Sequence, residues 1–177
     1  EDSPEATQNA LIRAADNRDI VITSGGVSMG DYDLVKAALK DIGAEIYFDK
    51  VKVRPGKPII FARRSNTYYF GLPGNPVSTS VTFNLFVRPA IRAMQGETSP
   101  ALPTFRGLLS GIVRDSSTRR SYLPARLSIR EGRAEVEPLK WGGSSDLVAF
   151  MRANAMIVVG EDVHEIPEGA LVDVVLL

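Results

Sequence analysis

An apolar run, Asp19-Ile20-Val21-Ile22, leads directly into Thr23-Ser24-Gly25-Gly26-Val27-Ser28-Met29-Gly30-Asp31-Tyr32-Asp33, and a helical pattern starts near Tyr32. Strand, glycine-rich turn and helix in that order form the βα half of an α/β layer. The turn also gathers backbone N–H groups at a helix N-terminus, where phosphate or another oxyanion can sit. Glycines there equally serve to make a tight turn and nothing more. Asp31 and Asp33 each suit a helix cap. A helix needs only one cap, so the second carboxylate is left for a cation or a proton.

The remaining composition narrows the chemistry. Lys plus Arg number 21 and Asp plus Glu number 21, which argues against a nucleic-acid binder working through net charge. The chain has no cysteine and one histidine, His164, so thiolate and histidine-cluster metal sites are excluded. Any metal is therefore hard and oxygen-bound, of the magnesium type. No apolar run reaches membrane-spanning length, and the first residues carry no signal-peptide pattern. The chain starts at Glu1 without a methionine and opens on a helix cap, which reads as a piece of a longer protein.

Ser3-Pro4-Glu5 provides an N-cap, a first-turn proline and a first-turn acid. Asp19 to Thr23 is apolar enough for a central strand of a parallel sheet. Leu34, Val35, Ala38, Leu39 and Ile42 form a helical stripe closed by Gly43, and a strand is expected over Glu45 to Val53. Ile59–Ala62 and Tyr68–Phe70 read as a hairpin about Ser65-Asn66. Pro73-Gly74-Asn75-Pro76 is a second strand-to-helix turn, with Asn75 as cap and Pro76 in the first position. The helix it opens is expected to kink at Pro89 and to end near Gly96.

Glu97 to Pro103 reads as a linker. Beyond it, Phe105–Arg114, Tyr122–Arg130, Arg133–Pro138, Ala155–Val159 and Leu171–Leu177 are β-like, with a turn at Glu131-Gly132 and a short helix within Ser145–Arg152. The expected architecture is an α/β domain over 1–97 followed, over 104–177, by a small all-β barrel or sandwich.

If the strands before the two glycine turns are parallel neighbours, both turns open at the carboxyl edge of the sheet, where α/β proteins bind ligands. Between them lies Lys50-Val51-Lys52-Val53-Arg54-Pro55-Gly56-Lys57-Pro58. Lys50, Arg54 and Lys57 either guard a solvated strand edge or clamp an oxyanion. Trp141-Gly142-Gly143-Ser144-Ser145 either binds an oxyanion or turns the chain. His164 reads as a surface residue.

Ile22 to Asp33, Arg54-Pro55-Gly56-Lys57-Pro58 and Leu72-Pro73-Gly74-Asn75-Pro76-Val77-Ser78 resemble, in order and spacing, the motifs of the molybdopterin molybdenumtransferases, the MoeA and gephyrin E-domain family. With Asn84–Ala90 and the β-rich end, the resemblance covers nearly the whole chain. It implies a three-layer molybdopterin-binding domain, incomplete at its N-terminus, followed by the β-barrel domain. The implied reaction inserts molybdenum from molybdate into adenylylated molybdopterin and releases AMP, with Mg2+ or a similar divalent ion, in a cytoplasmic homodimer.

The resemblance places catalytic roles on Asp33, Asp2, Lys50 and Arg54, and metal binding on Asp31 and Asp33. It places substrate binding on Ser24, Gly25, Gly26, Val27, Ser28, Lys57, Pro73, Gly74, Asn75, Pro76, Ser144 and Ser145. Family members carry further N-terminal domains, so the chain is expected to hold part of a site and to be inactive alone. Alternatives are a molybdopterin adenylyltransferase, against which the β domain argues, and a gephyrin-like scaffold. Neither nucleic acid nor membrane is expected as a partner.

Overall fold

In the computed structural model, which describes residues 3–26 and 34–177, Ser3 caps α1 (Pro4–Ala14) by accepting a hydrogen bond from the Ala6 N–H at 3.2 Å. Proline in the first turn and Glu5 beside it complete the start expected from the sequence. Strand β1 (Ile20–Ser24) and helix α2 (Leu34–Asp41) follow. The stripe on α2 is buried at Val35, Ala38 and Leu39. Gly43 and Ala44 close the helix by donating to the Lys40 and Leu39 carbonyls, each at 2.9 Å.

Next come β2 (Glu45–Lys50), β3 (Val53–Arg54), β4 (Pro58–Arg64), β5 (Thr67–Leu72) and α3 (Pro76–Thr82). The sheet order is β1-β5-β4-β2, with β1 parallel to β5 and the other pairs antiparallel. Two expectations change here. Among the described residues β1 has a neighbour on one side only, and its Ile22 is 43 % exposed. An apolar run records side chains that suit a strand, not the number of its backbone neighbours. The strand expected over Glu45 to Val53 stops at Lys50, after two register shifts against β4, and Val53–Arg54 joins a different sheet.

Alternation along β4 and β5 gives the sheet two apolar faces. Ile60, Ala62 and Tyr69 join Leu11 of α1 and Val35, Ala38 and Leu39 of α2 in one core. On the other face the Phe61 ring lies 4.8 to 5.8 Å from the rings of Phe70, Tyr47, Phe48 and Tyr68. Helix α3, with Val77 and Val81 fully buried, packs on β5, which completes three layers.

After α3 the helical path widens into a π segment, Phe83–Val87, and resumes as α4 (Arg88–Met94). The kink expected at Pro89 is thus taken up just before it. Proline offers no N–H to the Leu85 carbonyl and crowds it, and one wider turn accommodates both effects.

The remaining elements are β6 (Thr104–Leu109), β7 (Val113–Arg114), β8 (Arg120–Arg130), β9 (Arg133–Pro138), α5 (Leu147–Met151), β10 (Ala155–Val159), β11 (Glu165–Ile166) and β12 (Leu171–Leu176). Five strands close a barrel in the order β8-β10-β12-β6-β9 and back to β8, and β3 adds to β8 outside that ring. Glu131 and Gly132, both with positive φ, make the expected tight turn between β8 and β9. The single strand expected over Phe105–Arg114 divides at Ser110-Gly111, because β7 pairs with β11 in a separate ribbon. Leu109, Val136, Ile157 and Val174 are among the residues filling the barrel.

The chain divides into two compact units, Glu1–Val51 with Gly56–Phe83, and Lys52–Pro55 with Asn84–Leu177. Among the described residues no helix is long and apolar enough to cross a membrane.

Candidate functional site

Both glycine turns lie at the same edge of the first unit's sheet, as the parallel-neighbour expectation requires. Ser24 stands opposite Leu72, the Gly25 N–H donates to the Leu72 carbonyl at 3.0 Å, and the Ser24 hydroxyl donates to the Pro73 carbonyl at 3.4 Å. A Cβ on Gly74 would stand 3.4 Å from the Gly25 Cα. Gly25 and Gly26 have φ of +88° and +69°, and a Cβ on Gly26 would sit 3.0 Å from Val35 Cγ2. These glycines are demanded by backbone conformation and close approach together.

Asn75 caps α3 as the sequence predicts. Its Oδ1 accepts from the Val77 and Ser78 N–H groups at 3.1 and 3.2 Å, with Pro76 in the first turn. The Thr79 hydroxyl donates back to the Asn75 carbonyl at 2.9 Å and to the Pro73 carbonyl. Two of the helix's first N–H donors are therefore used by the cap. An anion at this edge meets the turns rather than a bare helix end.

The basic loop joins the same structure. A Cβ on Gly56 would stand 2.4 Å from Thr82 Cγ2 and 3.5 Å from the Ser78 carbonyl, so Gly56 lies directly on α3. Lys50 ends β2 opposite Pro58, and the Val51 N–H donates to the Lys57 carbonyl at 2.9 Å. Since β2 runs in the same direction as β1 and β5, Lys50 and Lys57 stand at the same sheet edge as Ser24, Gly25, Gly26, Pro73, Gly74, Asn75 and Pro76. Val27, Ser28, Asp31, Asp33 and Asp2 lie outside the described residues. Among those described, no group of three or more His, Asp or Glu stands together.

Arg54 belongs to the second unit. Its peptide bond to Pro55 is cis, its backbone pairs with Ser121 of β8, and its Nη1 donates to Asp115 Oδ1. The guanidinium carbon lies 5.6 Å from the centre of the Trp141 ring, within cation–π range. Arg54, Arg114, Asp115, Lys140 and Trp141 contribute to the walls of a cavity of about 360 Å3.

Ser144 and Ser145 are exposed on the loop after Trp141. Asp146 closes that loop, accepting from the Ala149 N–H at 3.0 Å and the Gly142 N–H at 3.1 Å. These bonds, that from Ala149 foremost, hold its carboxyl below the usual range. His164 is exposed as expected, its Nδ1 3.3 Å from the Asp115 carbonyl oxygen.

Sequence reasoning missed Asp115 and Asp146. Asp146 carries a readable signal, an acid directly before the apolar run Leu147-Val148. Asp115 carries none, since only the fold brings it to Arg54.

A three-layer unit whose glycine turns converge at the carboxyl edge of its sheet places the chain in the α/β class, with a β-barrel unit beside it in the sequence. The chain belongs to the molybdopterin-binding family: residues 1–93 match the probable molybdopterin binding domain, and residues 108–177 match the MoeA C-terminal region (domain IV). It is 34 % identical over 175 residues to a molybdopterin molybdenumtransferase of Haemophilus influenzae, a match covering 98 % of this chain and 43 % of that protein. The Drosophila melanogaster molybdenum cofactor synthesis protein cinnamon is 52 % identical over 95 residues, covering 54 % of this chain and 16 % of the relative. A crystal structure of the molybdopterin biosynthesis MoeA protein from Pyrococcus horikosii superposes with a TM-score of 0.77 at 29 % identity, covering 99 % of this chain and 41 % of that one. The chain thus spans less than half the length of the Haemophilus relative.

Proposed function

We propose that the protein to which this chain belongs inserts molybdenum from molybdate into adenylylated molybdopterin and releases AMP. The observation that carries this reading is the close approach of the two glycine turns at one sheet edge, Gly25 against Gly74, with Lys50 and Lys57 at that same edge. The turns Ser24 to Ser28 and Pro73 to Pro76 hold the pterin phosphates, the backbone N–H groups coming from their non-proline residues while Pro73 and Pro76 shape the second turn. Lys50 and Lys57 on the first unit, and Arg54 on the second, each bind an oxyanion such as molybdate and offset its charge, and Ser144 and Ser145 bind substrate. Asp2 and Asp33 act at the reacting centre. Asp31 and Asp33 would hold a magnesium-type ion, which polarises phosphate oxygens when bound.

The functional boundary falls in the 97–103 linker, with the molybdopterin-binding domain over 1–97 and the barrel domain over 104–177. The match of 108–177 to a MoeA region favours insertion over adenylylation. The parent works as a cytoplasmic homodimer, and this 177-residue chain does not turn over alone. The test is AMP release by the full-length parent given adenylylated molybdopterin and molybdate. Asp33→Asn is expected to cut turnover more than pterin binding. Equal loss of both would reduce Asp33 to a structural role, and an inactive wild-type parent would overturn the reading.

A further inference from the structure

We propose that Asp115 is a positioning residue that aims the Arg54 guanidinium into the cavity beside Trp141, so that Arg54 meets an oxyanion in a fixed orientation. This rests on the function proposed above for Arg54. The backbone of β3 is already secured without Asp115. Val53 and Arg54 pair with Arg120 and Ser121 of β8, and Arg119 Nη1 donates to the Val53 carbonyl at 2.8 Å. A two-residue strand held at both residues needs no further anchor.

Asp115 instead acts on the side chain. Its own side chain is only 2 % exposed, and Oδ1 accepts from Arg54 Nη1 and, at 3.2 Å, from the Ser117 N–H. Oδ2 is buried and has no partner among the described residues. Burying a carboxylate with one oxygen unpaired is costly, and a neutral, fully bonded group would stabilise the barrel better. What the carboxylate adds is direction. It holds Nη1 of the planar guanidinium while the Trp141 ring lies 5.6 Å from its central carbon. The guanidinium's other N–H donors, without a partner among the described residues, are left for a ligand in the cavity of about 360 Å3, where Lys140 adds positive charge and Arg114 is paired with Glu165. Only the β3–β8 pairing brings Arg54 and Asp115, 61 residues apart, into one place.

The test has two arms, each with Asp115→Asn, Arg54→Ala and the double variant. Trp141 is the only tryptophan of this 177-residue chain, so its emission reports the guanidinium beside it. Asp115→Asn and Arg54→Ala are expected to shift that emission alike, with no further shift in the double variant. In the full-length parent, Asp115→Asn is expected to lower kcat about tenfold or more, with a smaller change in molybdate KM, and to have no added effect once Arg54 is alanine.

An additive loss in the double variant would overturn the inference, as would loss of thermal stability with kcat intact. Unchanged Trp141 emission in Asp115→Asn would also overturn it. An active parent with additive variants sinks this proposal alone. A wild-type parent that releases no AMP sinks the function reading, and the positioning role falls with it.

Discussion

Replacing Gly56 with alanine probes the contact that seats this glycine on α3. The new methyl carbon would stand 2.4 Å from Thr82 Cγ2, where van der Waals contact begins near 3.4 Å, and 3.5 Å from the Ser78 carbonyl. Thr82 cannot turn away cheaply: it is fully buried, and its hydroxyl donates to the Ser78 carbonyl at 2.8 Å. Overpacking of this kind costs about 1–3 kcal/mol. The φ of +109° adds about 1–3 kcal/mol for a residue with a Cβ. Together these reach a sizeable part of the roughly 5–15 kcal/mol that holds a domain folded.

The two costs separate by design. Thr82→Ser deletes the clashing methyl and keeps the hydroxyl, at about 1 kcal/mol for the buried methyl lost. Urea unfolding followed by far-UV circular dichroism should show Gly56→Ala strongly destabilised. Adding Thr82→Ser should return the clash component and leave the backbone component. A Gly56→Ala protein within about 0.5 kcal/mol of wild type would refute the argument, because neither strain nor clash would then exist.

Two further outcomes follow from contacts elsewhere. A Cβ on Gly107 of β6 would stand 2.7 Å from Val136 Cγ2 and 3.1 Å from the Ala134 carbonyl, so Gly107→Ala should cost about 1–3 kcal/mol in denaturant melts, and Val136→Ala should relieve only part of it. The Asp146 carboxyl is held below its ordinary value of 3.8 by the Ala149 and Gly142 N–H groups. Its folded pKa is depressed, so its contribution to stability is present above the unfolded value and is lost as pH falls through the folded one. Asp146→Asn should therefore flatten the acid limb of the melting temperature measured below about pH 4. An unchanged limb would show that the cap is not coupled to folding.

Much of the first unit was legible because its signals are local. Ser3-Pro4 and Asn75-Pro76 state helix starts in two residues each, and the two glycine turns mark where strands yield to helices. Their meeting was legible only conditionally, through the parallel pairing of β1 and β5. The edge position of β1, the end of β2 at Lys50 and the departure of Val53–Arg54 to another sheet were not legible. Each depends on which backbone lies alongside, and side-chain periodicity carries no such information. The same holds for the site. Lys50 and Lys57 were found by charge and motif, whereas the Asp115 carboxylate meets Arg54 only after 61 intervening residues have folded.

The loan of Val53–Arg54 to β8 makes the two units topologically inseparable. No single cut of the chain yields both pieces whole, because Lys52–Pro55 lies between two segments of the first unit and belongs to the second. Residues 104–177 expressed alone would keep the five-strand ring but leave the Arg120–Ser121 edge bare and the buried Asp115 carboxylate without its cation. The loss of one partner from a buried pair costs roughly 3–5 kcal/mol. The barrel is therefore not a module that recombination could move freely. It carries its socket for Arg54 wherever it goes, and it can be exchanged intact only together with the loop that fills that socket.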